Sequence, residues 1–472
     1  MPRPSPTRTF LSAIHGCAPG SFRRVTTSPT TLDGARTRRM AAMMLWPLAI
    51  LLIIHRAWSL PHQVGATDDF TTVWRALVRF GDGNPVYTAN YAHVDPHYLY
   101  SPGGSLALQP VTWLGDYETA RIWFIFAQAA GIIAAVVLLL KFLGVSPRSW
   151  IVPLVLSLGF LTESVTSTLR FANVNGTLLL AQVLFIIFLL RDRRILAGLI
   201  LGLAITVKPI VAPLLFLAFV RKDWSTILTA VAVPVAFNIV AWPMAADPMA
   251  YIERTMPYLG EVRLHANASI SGELIYFGAP DLLVKLWLIV FAVPVILSLV
   301  LLLRWQWRDE TFWALTTSGV LMTGVLLLGS LGQQYYSLLL FPTIIGAFHA
   351  FGGRRDAQGD PTRSVVANWP AGLAIALFYF SLNWFMDDYA VGSQLWIQVM
   401  AWIGWMLFCL TMFGALLKWT IEEHGAGYDW LGRKHAAGFF GPGSGTRGTA
   451  SGVARGERRA TEADTRKNRT NA

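Results

Sequence analysis

Long apolar runs recur from about Ala41 to about Lys418, separated by short polar turns. The first covers Ala41 to Leu60, and others are centred near residues 130, 158, 182, 200, 214, 234, 292, 320, 342, 376 and 405. A helix needs about 20 apolar residues to cross the hydrocarbon core, so the pattern predicts about 12 transmembrane helices. The two runs flanking Lys208-Pro209 are short for that task. After Thr67-Asp68-Asp69-Phe70, the residues Trp74, Leu77, Val78 and Phe80 recur at helical spacing, which predicts an amphipathic helix on the membrane surface. Ser105 to Leu114, entered through Pro102-Gly103-Gly104, is apolar but too short to span, and predicts a half-inserted or surface helix. The expected fold is all-α and polytopic. One transmembrane domain covers 41–418, between a disordered tail at 1–40 and a disordered basic tail at 419–472.

Composition agrees with that pattern. Hydrophobic residues make up 54% of the chain and charged residues 14%, where a soluble domain has about a quarter charged. Cys17 and Cys409 fall in a polar tail and an apolar run, which gives neither a disulfide framework nor a zinc site. The long polar stretch before Ala41 argues against a cleaved signal peptide.

Basic residues set the expected orientation. They cluster at Arg36/Arg38/Arg39, Lys141/Arg148, Arg191/Arg193/Arg194, Arg221/Lys222, Arg304/Arg308, Arg354/Arg355 and in the C-terminal tail. Simple alternation of the spans places all these clusters on the cytoplasmic side, as the positive-inside tendency demands. The net charge of +11 then reports topology and contact with anionic lipid rather than nucleic-acid binding. A multi-pass plasma-membrane protein follows, with both termini cytoplasmic. Its two long connections, Pro61 to Asp116 and Ala245 to Asp281, lie outside, and the chemistry is expected on that extracytoplasmic face.

Few residues on that face could carry a reaction. Asp68 and Asp69 follow the first span, where a carboxylate can cap the next helix or act as a general base. His93, Asp95 and His97 resemble a metal set, but Pro96 keeps the histidines off one helical face, so a polar turn is the better reading. No metal or other cofactor is firmly implied, and room is left for a divalent cation. Arg170, Asn173 and Asn175 mark a polar turn before a span. Lys208 interrupts an apolar run, where an unpaired ammonium costs roughly 3 kcal/mol, so it is either a snorkelling residue or the partner of an anionic lipid group. His265 lies with Arg254, Glu261 and Arg263 in the second long connection. Gln333-Gln334-Tyr335-Tyr336 opens another apolar run, and Asp387-Asp388 marks the last outer turn. A G-x-G-x-x-G match at Gly443, Gly445 and Gly448 lacks a preceding strand. The sequons at Asn175 and Asn267 are patterns frequent by chance.

The order Asp69-Phe70, Tyr100-Ser101-Pro102, Asn173-Val174-Asn175, Lys208-Pro209 and Gln334-Tyr335-Tyr336 resembles the GT-C class of polyprenyl-phosphate-sugar-dependent glycosyltransferases. The similarity covers about Ala41 to Lys418 and is greatest to the actinobacterial mannosyl- and arabinofuranosyltransferases. The run His93 to Gly104 resembles the α-(1→3)-arabinofuranosyltransferases that branch cell-wall arabinan. The resemblance implies a decaprenyl-phosphoryl-arabinose donor, an arabinan acceptor and the lipid bilayer as partners. It also implies Asp69 as base with Asp68 beside it, and Lys208 with Arg170 on the donor phosphate. Tyr100, Asn173, Asn175, Gln334, Tyr335 and His265 would line the substrate. One departure stands out: members of this family often carry an acidic-His-His run where this chain has Gln333, Gln334 and Tyr335. Three rival readings remain at this level: a mannosyltransferase of the same fold, a secondary transporter, and a lipid-binding scaffold without catalysis. A transporter would show internal repeats and charges at the membrane midplane.

Overall fold

The computed structural model describes residues 32–63, 69–90, 97–264, 266–350, 354–381 and 391–425. Of the tails expected at 1–40 and 419–472, residues 1–31 and 426–472 lie outside them, as do Asp68, His93, Asp95, His265 and Asp387-Asp388, while 32–40 and 419–425 are helical. The described residues form helices α1 (Leu32–Ile54), α2 (Asp69–Gly81), α3 (Pro102–Leu108), α4 (Tyr117–Phe142), α5 (Ile151–Leu161) and α6 (Glu163–Arg170). There follow α7 (Asn175–Leu190), α8 (Arg194–Val207), α9 (Leu215–Val220), α10 (Trp224–Ala241), α11 (Met256–Gly260) and α12 (Ile270–Tyr276). The last are α13 (Asp281–Leu302), α14 (Glu310–Leu328), α15 (Phe341–Ile345), α16 (Ala347–Ala350), α17 (Trp369–Tyr379) and α18 (Val391–Gly425). The chain is an all-α multi-pass membrane protein. Among the described residues, six helical stretches are long and apolar enough to cross a bilayer, or seven if α5 and α6, bent by 66° at Thr162, form one broken span. The other apolar runs fold as shorter helices, among them α7, α8 and α17.

Small residues set the closest contacts. A Cβ on Gly198 would lie 2.6 Å from the Thr229 side chain, and one on Gly202 would lie 2.7 Å from Val233, so α8 presses on α10 along a small-residue face. A Cβ on Gly176 would lie 2.3 Å from the Gln128 carbonyl, which seats the start of α7 on α4. Gln128 Oε1 completes that joint by accepting from the Thr177 backbone N–H at 2.9 Å. Both contacts bear on the site, because α7 opens with Asn175 and α8 ends against Lys208.

The amphipathic α2 forms as its spacing predicts, with one adjustment. Phe70, Val73, Ala76, Leu77 and Phe80 are buried, Trp74 is half-buried, and Val78 faces outward with Arg75 and Arg79. The short α3 is also present. Ser101 Oγ caps it at the Gly104 N–H, and the Gly103 N–H donates to Asn238 Oδ1 at 3.0 Å, which docks α3 on α10.

Gln334 to Leu340 is a 3₁₀ segment buried in the bundle. Irregular backbone at such depth must be satisfied by protein groups. Gln182 Nε2 donates to the Leu339 carbonyl at 3.1 Å, Tyr379 Oη to the Ser337 carbonyl at 3.0 Å, and Trp405 Nε1 to Ser337 Oγ at 2.9 Å. Three neighbouring helices thus fix this segment.

A second polar cluster lies where α14 begins. Arg308 pairs with Asp356 and Glu423, each at 2.7 Å, while His349 Nε2 meets Asp309 at 2.8 Å. Arg304 pairs with Glu423 as well. Part of the basic excess is therefore consumed inside the protein instead of facing anionic lipid.

Glu273 on α12 is a separate case. It is buried, and neither carboxyl oxygen has a hydrogen-bond partner among the described residues. Burial raises its pKa from 4.5 to about 7. Below pH 4.5 the group is neutral both folded and unfolded. As pH rises from there toward 7 the unfolded chain ionises first, so the folded state loses relative stability. Glu273→Gln, neutral throughout, is expected to melt with wild type near pH 4 and a few degrees above it at pH 8. Thermal melts in detergent at the two pH values check this, and identical melts at pH 8 would contradict it.

Candidate active site

Proline explains where Lys208 sits. The residue before a proline is pushed out of the helical region, and Lys208 adopts φ −144°, ψ 100° immediately before Pro209, ending α8. Its ammonium turns to the start of α7, where it donates to Asn175 Oδ1 at 3.3 Å. The same ammonium lies 4.5 Å from the ring centre of Tyr336 and 5.7 Å from that of Tyr335. Two aromatic faces therefore accommodate the cation, and no carboxylate neutralises it by a direct ion pair among the described residues.

Asp69 comes from the other side of the sequence. It begins α2, and its backbone N–H donates to the Phe171 carbonyl at 3.0 Å, so α2 docks on the turn between α6 and α7. That turn is tight: Ala172 has φ 48°, and Asn173 Oδ1 accepts from the Asn175 N–H at 3.1 Å. Tyr335 Oη lies 3.5 Å from Asp69 Oδ2 and also meets Gln333 Oε1. A single tyrosine ring thus touches the carboxylate at its hydroxyl and faces the ammonium with its π-cloud.

Both charged groups line one cavity of about 690 Å³, within the usual range of ligand pockets. It opens at the end of the bundle where α8, α10 and α14 terminate. Ile205, Val207, Ile210, Pro234, Trp242 and Met256 supply apolar lining, whereas His97, Tyr100, Glu261, Arg263 and Gln333 supply polar lining. Burial, and then the nearby Asp69 charge, hold the Tyr100 phenol well above its usual pKa. It therefore remains a neutral hydroxyl.

The predicted residues separate into two groups. Asp69, Lys208, Tyr100 and Tyr335 meet at the cavity, with Asn175 behind Lys208. Arg170, Asn173 and Gln334 are not part of its lining. Gln334 is turned inward, where Nε2 donates to the Phe378 carbonyl at 2.6 Å. The neighbouring Gln333 faces the cavity in its place, since consecutive side chains at the start of a 3₁₀ turn point to different sides. Glu261 and Arg263 also reach the lining, whereas Arg254 instead donates to the Tyr87 carbonyl at 3.5 Å. The described residues contain no His/Cys/Asp/Glu group able to hold a metal ion.

The model of glycosyltransferase family 87 matches residues 98–330. An α-(1→3)-arabinofuranosyltransferase of Corynebacterium glutamicum is 42% identical over 379 residues, covering 80% of this chain and 88% of the relative. Its namesake in Mycobacterium tuberculosis is 35% identical over 399 residues, covering 84% and 88%. A polyprenol-phosphate-mannose-dependent α-(1-2)-phosphatidylinositol pentamannoside mannosyltransferase of Mycolicibacterium smegmatis is 30% identical over 230 residues, covering 46% and 53%. The chain belongs to glycosyltransferase family 87, alongside the α-(1→3)-arabinofuranosyltransferases that it matches over most of its length.

Proposed function

We propose that this enzyme transfers arabinofuranose from decaprenyl-phosphoryl-arabinose to cell-wall arabinan, forming an α-(1→3) branch with inversion. One observation carries the reading: a carboxylate and an ammonium share a cavity and are linked through one tyrosine. Such a pair suits transfer from a lipid phosphate. An acceptor hydroxyl attacks the anomeric carbon and forms the new C–O bond, while the bond from that carbon to the phosphate oxygen breaks. The hydroxyl proton passes to Asp69, and the electron pair leaves with the polyprenyl phosphate, which Lys208 holds by charge-assisted hydrogen bonding. Phosphate is a good leaving group, so no strong general acid is needed. Attack opposite the departing phosphate turns a β-linked donor into an α-linked product.

The apolar lining from α8, α10 and the residues after Lys208 suits the first isoprene units of the donor. Exposed apolar residues such as Leu203, Val235 and Ile239 on the same helices offer the rest of the tail a lipid-facing route. Nucleotide sugars are absent outside the membrane, so a lipid-linked donor fits a site on the extracytoplasmic face with both termini cytoplasmic. The distribution of basic residues supports that orientation. Asp68 remains a candidate neighbour of the base, Arg170 a second cation near the turn that docks α2, and His265 a further lining residue.

The mannose reading has one observation in its favour, the partial match to a mannosyltransferase, whereas the matches covering most of the chain are to arabinofuranosyltransferases. The purified chain in lipid nanodiscs, given a synthetic arabinan acceptor and either decaprenyl-phosphoryl-arabinose or polyprenyl-phosphate-mannose, tests the choice. Expected is α-(1→3)-linked arabinose in the product. Transfer of mannose alone would overturn the proposal.

A further inference from the structure

Asn267 belongs to a glycosylation sequon, but its side chain is only 2% exposed and is used up internally. Oδ1 accepts from the Gly332 N–H at 2.8 Å and from the Ser269 N–H at 3.1 Å. Nδ2 donates to the Arg263 carbonyl at 2.9 Å and to the Ser330 carbonyl at 2.8 Å. One carboxamide thus fills both donor and both acceptor positions, the full capacity of an asparagine. The backbone adds a fifth link, from the Ala268 N–H to the Gly332 carbonyl at 2.7 Å.

The surroundings leave this amide little freedom. A Cβ on Gly272 would lie 2.4 Å from Asn267 Cγ, and one on Gly332 would lie 2.4 Å from the Leu326 carbonyl. The two segments it ties together both reach the cavity, one through Arg263 and the other through Ser330 and, one residue past Gly332, Gln333. Gln333 Oε1 receives the Tyr335 hydroxyl, which is the group beside Asp69. On its far side the 3₁₀ segment is held by Gln182, Tyr379 and Trp405. On the cavity side, the turn is held by Asn267, by the Ala268 N–H and by Ser330 Oγ on the Leu259 carbonyl at 2.8 Å, and Asn267 supplies two of these bonds.

We propose that Asn267 is a positioning residue for sugar transfer: it fixes the Gly332–Gln333 turn, and through Gln333 and Tyr335 it sets the orientation of the Asp69 carboxylate. The inference rests on the reading of Asp69 as base. Displacement of a base by about 1 Å can cost on the order of 100-fold in rate. Lys208 keeps its hydrogen bond to Asn175 and the nearer Tyr336 face at 4.5 Å, neither of which passes through Asn267, and only its more distant Tyr335 face at 5.7 Å does, so donor binding should change much less than turnover.

The test uses the full chain in nanodiscs with decaprenyl-phosphoryl-arabinose and an arabinan oligosaccharide. Asn267→Ala is expected to lower kcat at least about tenfold while donor KM changes less than about twofold. Adding Tyr335→Phe to Asn267→Ala should cost much less than it does in wild type, since the two residues act in series. Losses that multiply independently, or an unchanged kcat, would overturn the proposal. Should Asn267→Ala fail to fold, Asn267→Asp keeps the acceptor oxygen toward Gly332 and Ser269, loses the two donated bonds and sets its second oxygen against the Arg263 and Ser330 carbonyls. With 3-fluorotyrosine at position 335, its fluorine resonance should shift from that of the parent protein, and an unmoved resonance would also overturn the proposal. Failure of the unsubstituted chain to transfer arabinose would instead count against the donor assignment, while the fluorine readout still judges Asn267.

Discussion

Asp69→Asn is expected to lower kcat by roughly 100- to 10,000-fold, the range for loss of a general base. The change keeps the size of the side chain and its contact with Tyr335 Oη, so neither fold nor donor binding should suffer. Only the ability to accept the acceptor's proton is removed. Donor KM should therefore stay within about twofold of wild type, the signature of an interaction made in the transition state alone. Steady-state transfer with saturating acceptor checks this. Full activity in Asp69→Asn would move the base to another residue, with Asp68 the first to examine by the same substitution.

Lys208→Ala is expected to act on the other half of the reaction. An ammonium that binds a phosphate in a cavity of low polarity contributes about 2–5 kcal/mol when its removal leaves the partner charge uncompensated. The corresponding loss of donor affinity is roughly 30-fold or more. Since charge grows on the phosphate as the sugar departs, kcat should fall too, but the rise in donor KM separates this variant from Asp69→Asn. Lys208→Arg should recover only part of the function, because a planar guanidinium is bulkier and its donors point elsewhere. Donor titration by fluorescence or calorimetry, without acceptor, reads the affinity directly. Equal donor affinity in Lys208→Ala and wild type would remove Lys208 from the phosphate site.

The sequence made these two residues legible for different reasons. Lys208 stands out because a cation in an apolar run is energetically conspicuous, and Pro209 forces its backbone out of the helix. Asp69 was legible through its place at the head of an amphipathic helix, whose apolar spacing foreshadowed the buried face of Phe70, Val73, Leu77 and Phe80. Their meeting at one cavity is a long-range fact. It depends on α2 docking on the Phe171 carbonyl and on the close approach of α7 to α4 at Gly176, and no local pattern encodes either.

Gln334 shows the opposite case. Within Gln333-Gln334-Tyr335-Tyr336 the composition announces polar lining, but which glutamine faces the cavity depends on where the 3₁₀ turn begins. The structure puts Gln333 there and directs Gln334 to the Phe378 carbonyl. Asn267 was hidden more deeply. Nothing local marks it beyond a sequon frequent by chance, and its four hydrogen bonds reach partners as far along the chain as Ser330 and Gly332. The apolar runs themselves were plain, yet several fold as helices too short to span alone: the bend at Thr162 divides one stretch, and the two short runs flanking Lys208-Pro209 stay separate helices.

The most direct test is a structure of the enzyme with a phosphonate analogue of decaprenyl-phosphoryl-arabinose, in which the anomeric bond cannot be broken. Expected are the phosphonate within hydrogen-bonding reach of Lys208 Nζ, the isoprenoid leaving between α8 and α10, and the anomeric carbon turned toward Asp69. An analogue seated away from Lys208, or with its sugar shielded from the Asp69 carboxylate, would contradict it.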